Sequence, residues 1–326
     1  MSDRKIIAVV GATGAQGGGL VRAISADPSG GFSARALTRD AGSERAKELA
    51  ALGAEVVEAD LDDETALRGA FDGAHGAFVV TNFWEPRTEE DQRRRSASQR
   101  ELSQAANAAR AAKEAGTRHV IWSTLPDTRP YFPAGDQQAA TFDGGYKVPH
   151  ADGKAEANRF FAESGVPTTY LQANVYYEAF LDPSLFGPRR DEQGRLVLAP
   201  GFADARVAAH AAEDLGRTAY GIFRKGEAMA GRAVSVAGSI LTGAQYAEAL
   251  TKALGEPVAY LPTGPDTVRA AGFPGAEEVA NMLAYFVAAE SDIARLVDED
   301  LLHELNPRLQ SFDTWLRGRP ADLTIR

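Results

Sequence analysis

The sequence predicts an α/β fold in which a doubly wound parallel sheet is followed by a smaller α+β C-terminal region. The first half alternates short apolar runs with helix-like patterns, a rhythm typical of a parallel sheet covered on both faces. A glycine-rich turn directly after the first apolar run is the second observation. The predicted strands span residues 6–10, 34–37, 55–57, 77–80, 119–122 and 168–171, and the predicted helices span 16–25, 43–51, 63–71, 89–115 and 152–164.

Local signals support these elements. The run 77–80 is continuously apolar, as expected for a strand that is buried on both faces. Ser43 can cap the second helix, the acids at 62–64 complement the dipole of the third, and Asp152 can cap a helix from Gly153 onward. Glycines stand where three helices should end, at Gly53, Gly73 and Gly116.

The rhythm changes after about residue 174, which predicts a domain boundary. We expect a nucleotide-binding domain over 1–174 and a smaller substrate or partner region over 175–326, with segments near 205–236 returning to the main sheet. The predicted C-terminal strands span 196–198, 233–236 and 258–261, and the predicted helices span 211–224, 242–254, 274–289 and 309–317.

Composition narrows the function classes. The chain has 326 residues and a formal net charge of −10, which argues against nucleic-acid binding because phosphate contact is driven by basic charge. The absence of cysteine excludes disulfides, thiolate metal sites and a cysteine nucleophile. The five histidines lack ligand spacing, so no metal is expected. Without a long apolar run, we expect a cytoplasmic protein rather than a membrane protein.

The glycine-rich turn carries the strongest functional signal. The first strand runs into Gly11-Ala12-Thr13-Gly14-Ala15-Gln16-Gly17, and a helix follows. In this G-x-x-G-x-x-G spacing the first glycine permits a tight turn, the second lets backbone approach a pyrophosphate, and the third allows close helix–strand packing. The helix start then offers free N–H groups to phosphates. A tight turn without a ligand is the alternative.

The end of the second predicted strand bears on the choice of cofactor. A site for NAD usually places an acid there, whereas this chain has Thr38 followed by Arg39. Because an arginine can pair with a 2′-phosphate, the pattern favours NADP(H) over NAD. Asp40 weakens this inference, and a solvated arginine is the alternative. Arg35 could assist or could lie along the strand surface.

Several segments resemble the NmrA-like family of atypical short-chain dehydrogenase/reductases, and most of all its HSCARG-type NADPH redox sensors. The likeness runs through almost the whole chain. The segments that carry it are VVGATGAQGG (9–18), LTRD (37–40), VTNFWE (80–85), HADGKAE (150–156), SGVPTTYLQANVYYEAFL (164–181) and AAGFPGAEEVANMLAYF (270–286).

The resemblance implies a Rossmann fold with NADP(H) in the cleft and the nicotinamide end near residues 172–176. The cofactor contacts that it implies are Gly11, Thr13, Gly14, Ala15, Gln16, Gly17, Thr38, Arg39, Asp60, Leu61, Thr81, Asn82, Lys154 and Asn174. It also implies two kinds of activity among relatives, since some regulate transcription factors by protein contact and others reduce quinones or triphenylmethanes.

The catalytic residues of the wider superfamily are only partly present. Ser123 and Lys154 match its serine and lysine, but His150 stands where a tyrosine four residues before the lysine is expected. A histidine can act as general acid near neutral pH. A lysine cation one helical turn away would disfavour the protonated imidazole, so a cleft-wall role is the alternative. Other candidate phenols are Tyr146, Tyr176 and Tyr177.

Two functions remain open at this point. The first is a redox-responsive regulator that binds NADPH or NADP⁺ and contacts a protein partner, and the second is an NADPH-dependent reductase of a small carbonyl, quinone or conjugated substrate. A homodimer is compatible with both. The basic run 93–95 lies among acids that include Glu101 and is interpreted as a solvated helix face. An apolar pocket is expected from Phe83, Trp84, Tyr176, Tyr177, Phe180 and Phe202.

Overall fold

The fold is seen in a computed structural model that describes residues 4–133, 135 and 138–319. In chain order the strands are β1 Lys5–Val9, β2 Phe32–Thr38, β3 Glu55–Glu58, β4 Gly76–Val79, β5 His119–Thr124, β6 Thr168–Gln172, β7 Val175–Tyr176, β8 Arg189–Arg190, β9 Leu196–Leu198, β10 Val207–His210, β11 Ala233–Ser235, β12 Ser239–Leu241 and β13 Val258–Tyr260. The α-helices are α1 Ala15–Ser25, α2 Glu44–Ala51, α3 Glu64–Phe71, α4 Glu89–Arg94, α5 Ala97–Glu114, α6 Pro149–Ser164, α7 Ala212–Lys225, α8 Gly243–Leu254, α9 Pro265–Ala270, α10 Ala276–Ala288, α11 Glu290–Leu296, α12 Glu299–Leu305 and α13 Phe312–Arg317.

Within the described residues, the main sheet has seven strands in the order β11-β6-β5-β4-β1-β2-β3. Every neighbouring pair in it is parallel. This confirms the predicted doubly wound fold. The chain reverses direction across the sheet between β1 and β4, and in open α/β sheets that switch point is where ligands bind.

The C-terminal half divides between the main sheet and two small sheets. Strand β11 pairs with β6 at the edge of the main sheet. The small sheets have the orders β12-β10-β7 and β13-β9-β8. The predicted boundary at residue 174 stays a prediction, although β7 at 175–176 is the first strand outside the main sheet.

Two expectations about helices were wrong. The helix predicted over 89–115 is broken by extended backbone at Arg95, after which Ser96 and Gln99 form a capping box that starts α5. Asp152 does not cap a helix, because α6 already begins at Pro149. Its buried carboxylate instead accepts hydrogen bonds from Thr128 and from the amides of Lys147 and Val148, so it anchors the segment that leads into α6. The predicted cap at Ser43 is confirmed, and Thr242 caps α8 in the same way.

Helices α1 and α7 cover one face of the sheet and pack very closely. A Cβ atom added at Gly216 would lie 2.3 Å from the backbone nitrogen of Leu20 and 2.5 Å from the carbonyl carbon of Gly19. Glycine is therefore required at this contact, and it sets the position of α1 against the sheet. Among the described residues, no helix combines the length and the apolar character needed to cross a membrane.

Candidate functional site

The glycine-rich turn after β1 leaves the first turn of α1 open. Gly11 has a φ of 64°, and its carbonyl accepts the amide of Gly14 at 2.9 Å. A Cβ atom at Gly17 would lie 2.5 Å from that same carbonyl oxygen, so only glycine fits. The N-cap of α1 is Gly14, which provides no side-chain cap, whereas α2 and α5 are capped by serines. The first amides of α1 are thus available to an anion such as a pyrophosphate.

The arginines around the end of β2 have different environments. Arg35 pairs with Glu55 at 2.8 Å and donates to the carbonyls of Ala70 and Asp72, so it has a structural role and does not assist at the site. Arg39 is exposed and forms an ion pair with Glu85.

Two further groups complete this end of the cleft. Thr38 Oγ1 accepts the amide of Asp40 at 3.2 Å. Arg45 in α2 reaches the carbonyl of Thr13 at 3.5 Å, which places its guanidinium beside the glycine-rich turn. Sequence inspection missed Arg45, because it follows the strand end by several residues.

The next two strand ends are held by hydrogen bonds within their loops and by one contact from α5. Asp60 accepts the amide of Asp62 at 2.9 Å, and the carbonyl of Leu61 accepts a hydrogen bond from Asn107 at 2.9 Å. Asn82, after β4, accepts the amide of Trp84 at 3.2 Å. These contacts give the loops a defined shape along the carboxyl edge of the sheet.

Lys154 belongs to a buried network with Thr81 and Glu101. Lys154 Nζ donates to the carbonyl and hydroxyl oxygens of Thr81 at 3.0 and 2.6 Å, and lies 3.0 Å from Glu101 Oε1. The Thr81 hydroxyl donates to the same carboxylate oxygen at 2.7 Å. Glu101 is only 2% exposed, so its inclusion in a solvated helix face was wrong. Its carboxylate offsets the lysine charge where water cannot.

Ser123, Gln16 and Tyr176 form a second chain of hydrogen bonds. Ser123 Oγ donates to Gln16 Oε1 at 2.8 Å, and Gln16 Nε2 donates to the Tyr176 hydroxyl at 2.6 Å. Burial raises the pKa of Tyr176 above its ordinary value, so the phenol stays protonated near neutral pH. Since its oxygen accepts from Gln16, its own proton can be donated to a ligand.

His150 lies in the first turn of α6 and is held by a carboxylate from the other end of the chain. Its Nδ1 lies 2.9 Å from Glu278 Oε1 in α10. The imidazole also contacts the rings of Phe83 and Trp84, with centroids 6.0 and 5.3 Å away. The carboxylate at Nδ1 fixes the orientation of the ring, a contact that the sequence could not indicate.

Asn174 is fixed by contacts to β10 and β11. Its side-chain amide donates to Ser235 Oγ at 3.0 Å and to the carbonyl of Val236 at 2.9 Å. Its backbone N–H donates to His210 Nε2 at 3.3 Å, while His210 Nδ1 lies 2.8 Å from the carbonyl of Ala211. Burial lowers the pKa of His210 to about 4. The neutral ring therefore donates from Nδ1 to the carbonyl of Ala211 and accepts at Nε2 from the amide of Asn174.

One large cavity joins these groups. It has a volume of about 1430 Å³ and a mainly apolar wall built from both halves of the chain. Of the predicted site residues, it is lined by Gln16, Thr81, Asn82, Ser123, His150, Lys154 and Asn174. Its rim includes four large apolar side chains that are exposed, namely Trp84, Leu185, Leu261 and Phe273. The remaining predicted residues lie along the glycine-rich turn and the ends of β2 and β3.

The predicted aromatic lining was only half right. Phe83, Trp84 and Tyr176 line the cavity, whereas Tyr177, Phe180 and Phe202 are fully buried in the core of the C-terminal region. Tyr146 donates to Glu156 at 2.9 Å, and burial together with this bond raises its pKa to about 12. Tyr177 donates to the carbonyl of Gln310. Neither phenol is placed at the cavity.

Comparison with known proteins identifies the family. A model of the NmrA-like family matches residues 3–316. The chain belongs to the NmrA-like family. It is 34% identical over 201 residues to the NmrA-like family domain-containing oxidoreductase himF of Aspergillus japonicus, covering 59% of this chain and 55% of himF. The match thus spans about half of that relative, and 34% to 43% of three others.

Solved structures of similar fold cover nearly the whole chain. Nmra, a negative transcriptional regulator, superposes with a TM-score of 0.74 at 24% identity over 96% of this chain and 95% of Nmra. The NADPH-dependent quinone oxidoreductase QOR2 of Escherichia coli, in complex with NADPH, superposes with a TM-score of 0.67 at 25% identity over 96% of this chain and 99% of that protein. The NmrA-like fold is therefore found in proteins with different activities.

Proposed function

We propose that this NmrA-like protein is an NADPH-dependent reductase of a bulky apolar acceptor, such as a quinone or a conjugated carbonyl. The observation that carries the proposal is the cavity, because its apolar wall also contains Ser123, His150 and Lys154. A volume of about 1430 Å³ exceeds the few hundred to 1,000 Å³ of typical ligand pockets, so a dinucleotide end and a large acceptor fit together.

The glycine-rich turn fits a dinucleotide. The uncapped first turn of α1 would hold the pyrophosphate, and glycine at 17 lets this helix start close to the turn. The similar protein QOR2 was solved in complex with NADPH. Arg39 and Arg45 would hold a 2′-phosphate, which supports a preference for NADP(H) over NAD. Asp60 and Leu61 would lie at the adenine, and Thr81, Asn82, Lys154 and Asn174 at the nicotinamide half.

When bound, the nicotinamide would supply a hydride. The residues of the chain would hold the two reactants in place and donate the proton. Gln16 is fixed by Ser123 and Tyr176, so the floor of the cavity is rigid before a ligand binds. The three donors of Lys154 already point to Thr81 and Glu101, so Lys154 would exchange one Thr81 contact to hold a ribose hydroxyl. Such fixed groups reduce the entropic cost of bringing donor and acceptor together.

His150 is the proton donor in this proposal. The sequence suggested that a neighbouring lysine would disfavour its protonated form. In the structure Glu101 lies against Lys154 and offsets its charge, and Glu278 holds the His150 ring at Nδ1. Proton transfer at Nε2 would regenerate neutral imidazole oriented by Glu278, which solvent at the open rim reprotonates.

A second function, a redox-responsive regulator that contacts a protein, stays a prediction. The observation that favours it is the rim of four exposed apolar side chains, because such a patch can be covered by a partner as well as by a substrate. A regulator would bind NADPH and NADP⁺ with different effects on partner affinity and would not consume the nucleotide.

The test combines binding and turnover. Fluorescence titration with NADPH, NADP⁺, NADH and NAD⁺ measures affinity, and NADPH consumption is followed with a panel of bulky quinones and conjugated carbonyls. We expect NADPH to bind and to be consumed, and turnover to be lost in Lys154→Ala. Tight binding without turnover on any acceptor would favour the regulator. No binding of any of the four nucleotides would reject both functions.

A further inference from the structure

We propose that the cavity contains an anion subsite at Arg189, so that its ligand is a bulky apolar molecule with a carboxylate or sulfonate group. This inference rests on the proposed function, in which the cavity receives the acceptor. It adds a chemical class that the fold and the family do not specify. The subsite lies on β8, in the C-terminal half of the cavity wall.

The charges of the cavity wall are almost all paired. Lys154 is paired with Glu101, and His150 with Glu278. Arg190 forms a bidentate pair with Glu256 at 2.8 and 3.0 Å. Arg195 lies 2.7 Å from Asp191. These pairs leave little charge with which the wall could attract or reject a ligand.

Arg189 differs from the other cations. It lines the same cavity and is exposed to it, and its Nε donates to the carbonyl of Pro183 at 2.5 Å. No carboxylate of the described residues lies within ion-pair distance of it. The charge of Arg189 has little effect on the nearby Asp182. The pKa of Asp182 is lowered mainly by hydrogen bonds from Ser184, and Arg189 makes the smallest contribution to that shift. The guanidinium therefore keeps donors for a ligand.

The surroundings of Arg189 define the rest of the ligand. Its cross-strand partner Val197 also lines the cavity, as do the neighbouring Leu185 and Phe186. An arginine among apolar side chains binds an anion more strongly than one in open water, because screening is weaker there. The chain carries a net charge of −10, so a preference for an anionic ligand would have to come from a local cation.

A pair of fluorescent probes tests the subsite without any turnover. The probes are 1-anilinonaphthalene-8-sulfonate and N-phenyl-1-naphthylamine, which share the same aromatic frame and differ in the sulfonate. We expect the wild-type protein to prefer the sulfonate by about two- to fivefold in Kd, as for an exposed ion pair. Arg189→Gln should abolish this preference and leave binding of the neutral probe unchanged, and Arg189→Lys should keep most of it.

The matched control is the double variant Asp191→Asn/Arg195→Gln, which removes a paired arginine from the same wall at constant net charge. It should retain the preference. Equal affinity for the two probes in the wild type, or a preference that survives Arg189→Gln, would overturn the subsite. Failure of the neutral probe to bind would instead show that the cavity does not accept an apolar ligand, which would also reject the proposed function. If NADPH is not consumed while the probe preference follows Arg189, only the reductase activity fails.

Discussion

Lys154 Nζ lies 3.0 Å from Glu101 Oε1, and both side chains are buried at the carboxyl edge of the sheet. The pair joins α5 to α6 and shares its oxygen with the Thr81 hydroxyl. Burying a lysine alone would cost several kcal/mol, whereas a hydrogen-bonded pair is tolerated. The pair therefore lets the protein bury a lysine at this edge of the sheet without leaving an uncompensated charge there.

The first prediction concerns the stability of this pair. Glu101→Gln and Lys154→Met should each lower the free energy of unfolding by about 3 kcal/mol, because each leaves one buried charge without its partner. The double variant should lose clearly less than the sum of the two. Urea denaturation of the four proteins measures the coupling. Additive losses, within about 0.5 kcal/mol, would show that the two groups do not depend on each other.

The second prediction concerns the proton donor. His150→Gln should lower kcat by about 10²- to 10⁴-fold, while the NADPH affinity stays unchanged. Glu278→Gln should lower kcat by roughly tenfold, since the ring keeps its place but loses its carboxylate. The double variant should be no slower than His150→Gln alone. His303→Gln, an exposed histidine on α12, serves as control, and full activity of His150→Gln would exclude the donor role.

The third prediction concerns the cofactor preference. Glu85 holds Arg39 in an ion pair and would also repel a 2′-phosphate. Glu85→Gln should therefore tighten NADPH binding several-fold, and Arg39→Ala should weaken it by about tenfold, with little change for NADH in either case. Arg35→Gln is the control, since that arginine is bound to Glu55. Equal effects on NADPH and NADH would place the 2′-phosphate elsewhere.

The fourth prediction concerns pH. The folded-state pKa of His210 is about 4, below its ordinary value of 6.5, because burial disfavours the charged ring. As the pH falls, the unfolded chain therefore takes up a proton on this histidine before the folded protein does. The contribution of neutral His210 to the free energy of unfolding is fully present above pH 6.5 and is lost as the pH falls toward 4. Between about pH 5 and 6, His210→Gln should flatten the dependence of unfolding free energy on pH by about 1.4 kcal/mol per unit. An unchanged slope would mean that the ring takes up its proton in the folded protein.

The predictable part of the site follows from local patterns. The sequence alone places the glycines at 11, 14 and 17 and the polar residues that end β4 and β5. A parallel sheet brings these strand ends to one edge, where ligands bind. The resemblance added Lys154 and Asn174. Both Lys154 and Asn174 line the cavity, as the predicted fold leads one to expect.

The unpredictable part consists of partners that are distant in sequence. Glu101 lies among exposed acids and arginines, and only the packing of α5 on α6 buries it against Lys154. Glu278 is 128 residues from His150, so no local pattern links them. Tyr177 and Phe180 look like pocket residues in the sequence, but the stacking of Phe180 on Tyr246 places this segment in the core.

The most direct test of the proposed reductase activity follows the hydride itself. NADPH deuterated at the transferring position of the nicotinamide is incubated with the protein and a bulky quinone or conjugated carbonyl, and the product is examined by mass spectrometry after exchange of its acidic hydrogens. For a conjugated carbonyl reduced at carbon, we expect one deuterium in the product with the wild type and no labelled product with Lys154→Ala. For a quinone, we expect the nucleotide to lose its label at the rate of quinol formation. A protein that binds the labelled NADPH tightly and leaves every acceptor and the label unchanged would contradict the reductase and point to the regulator.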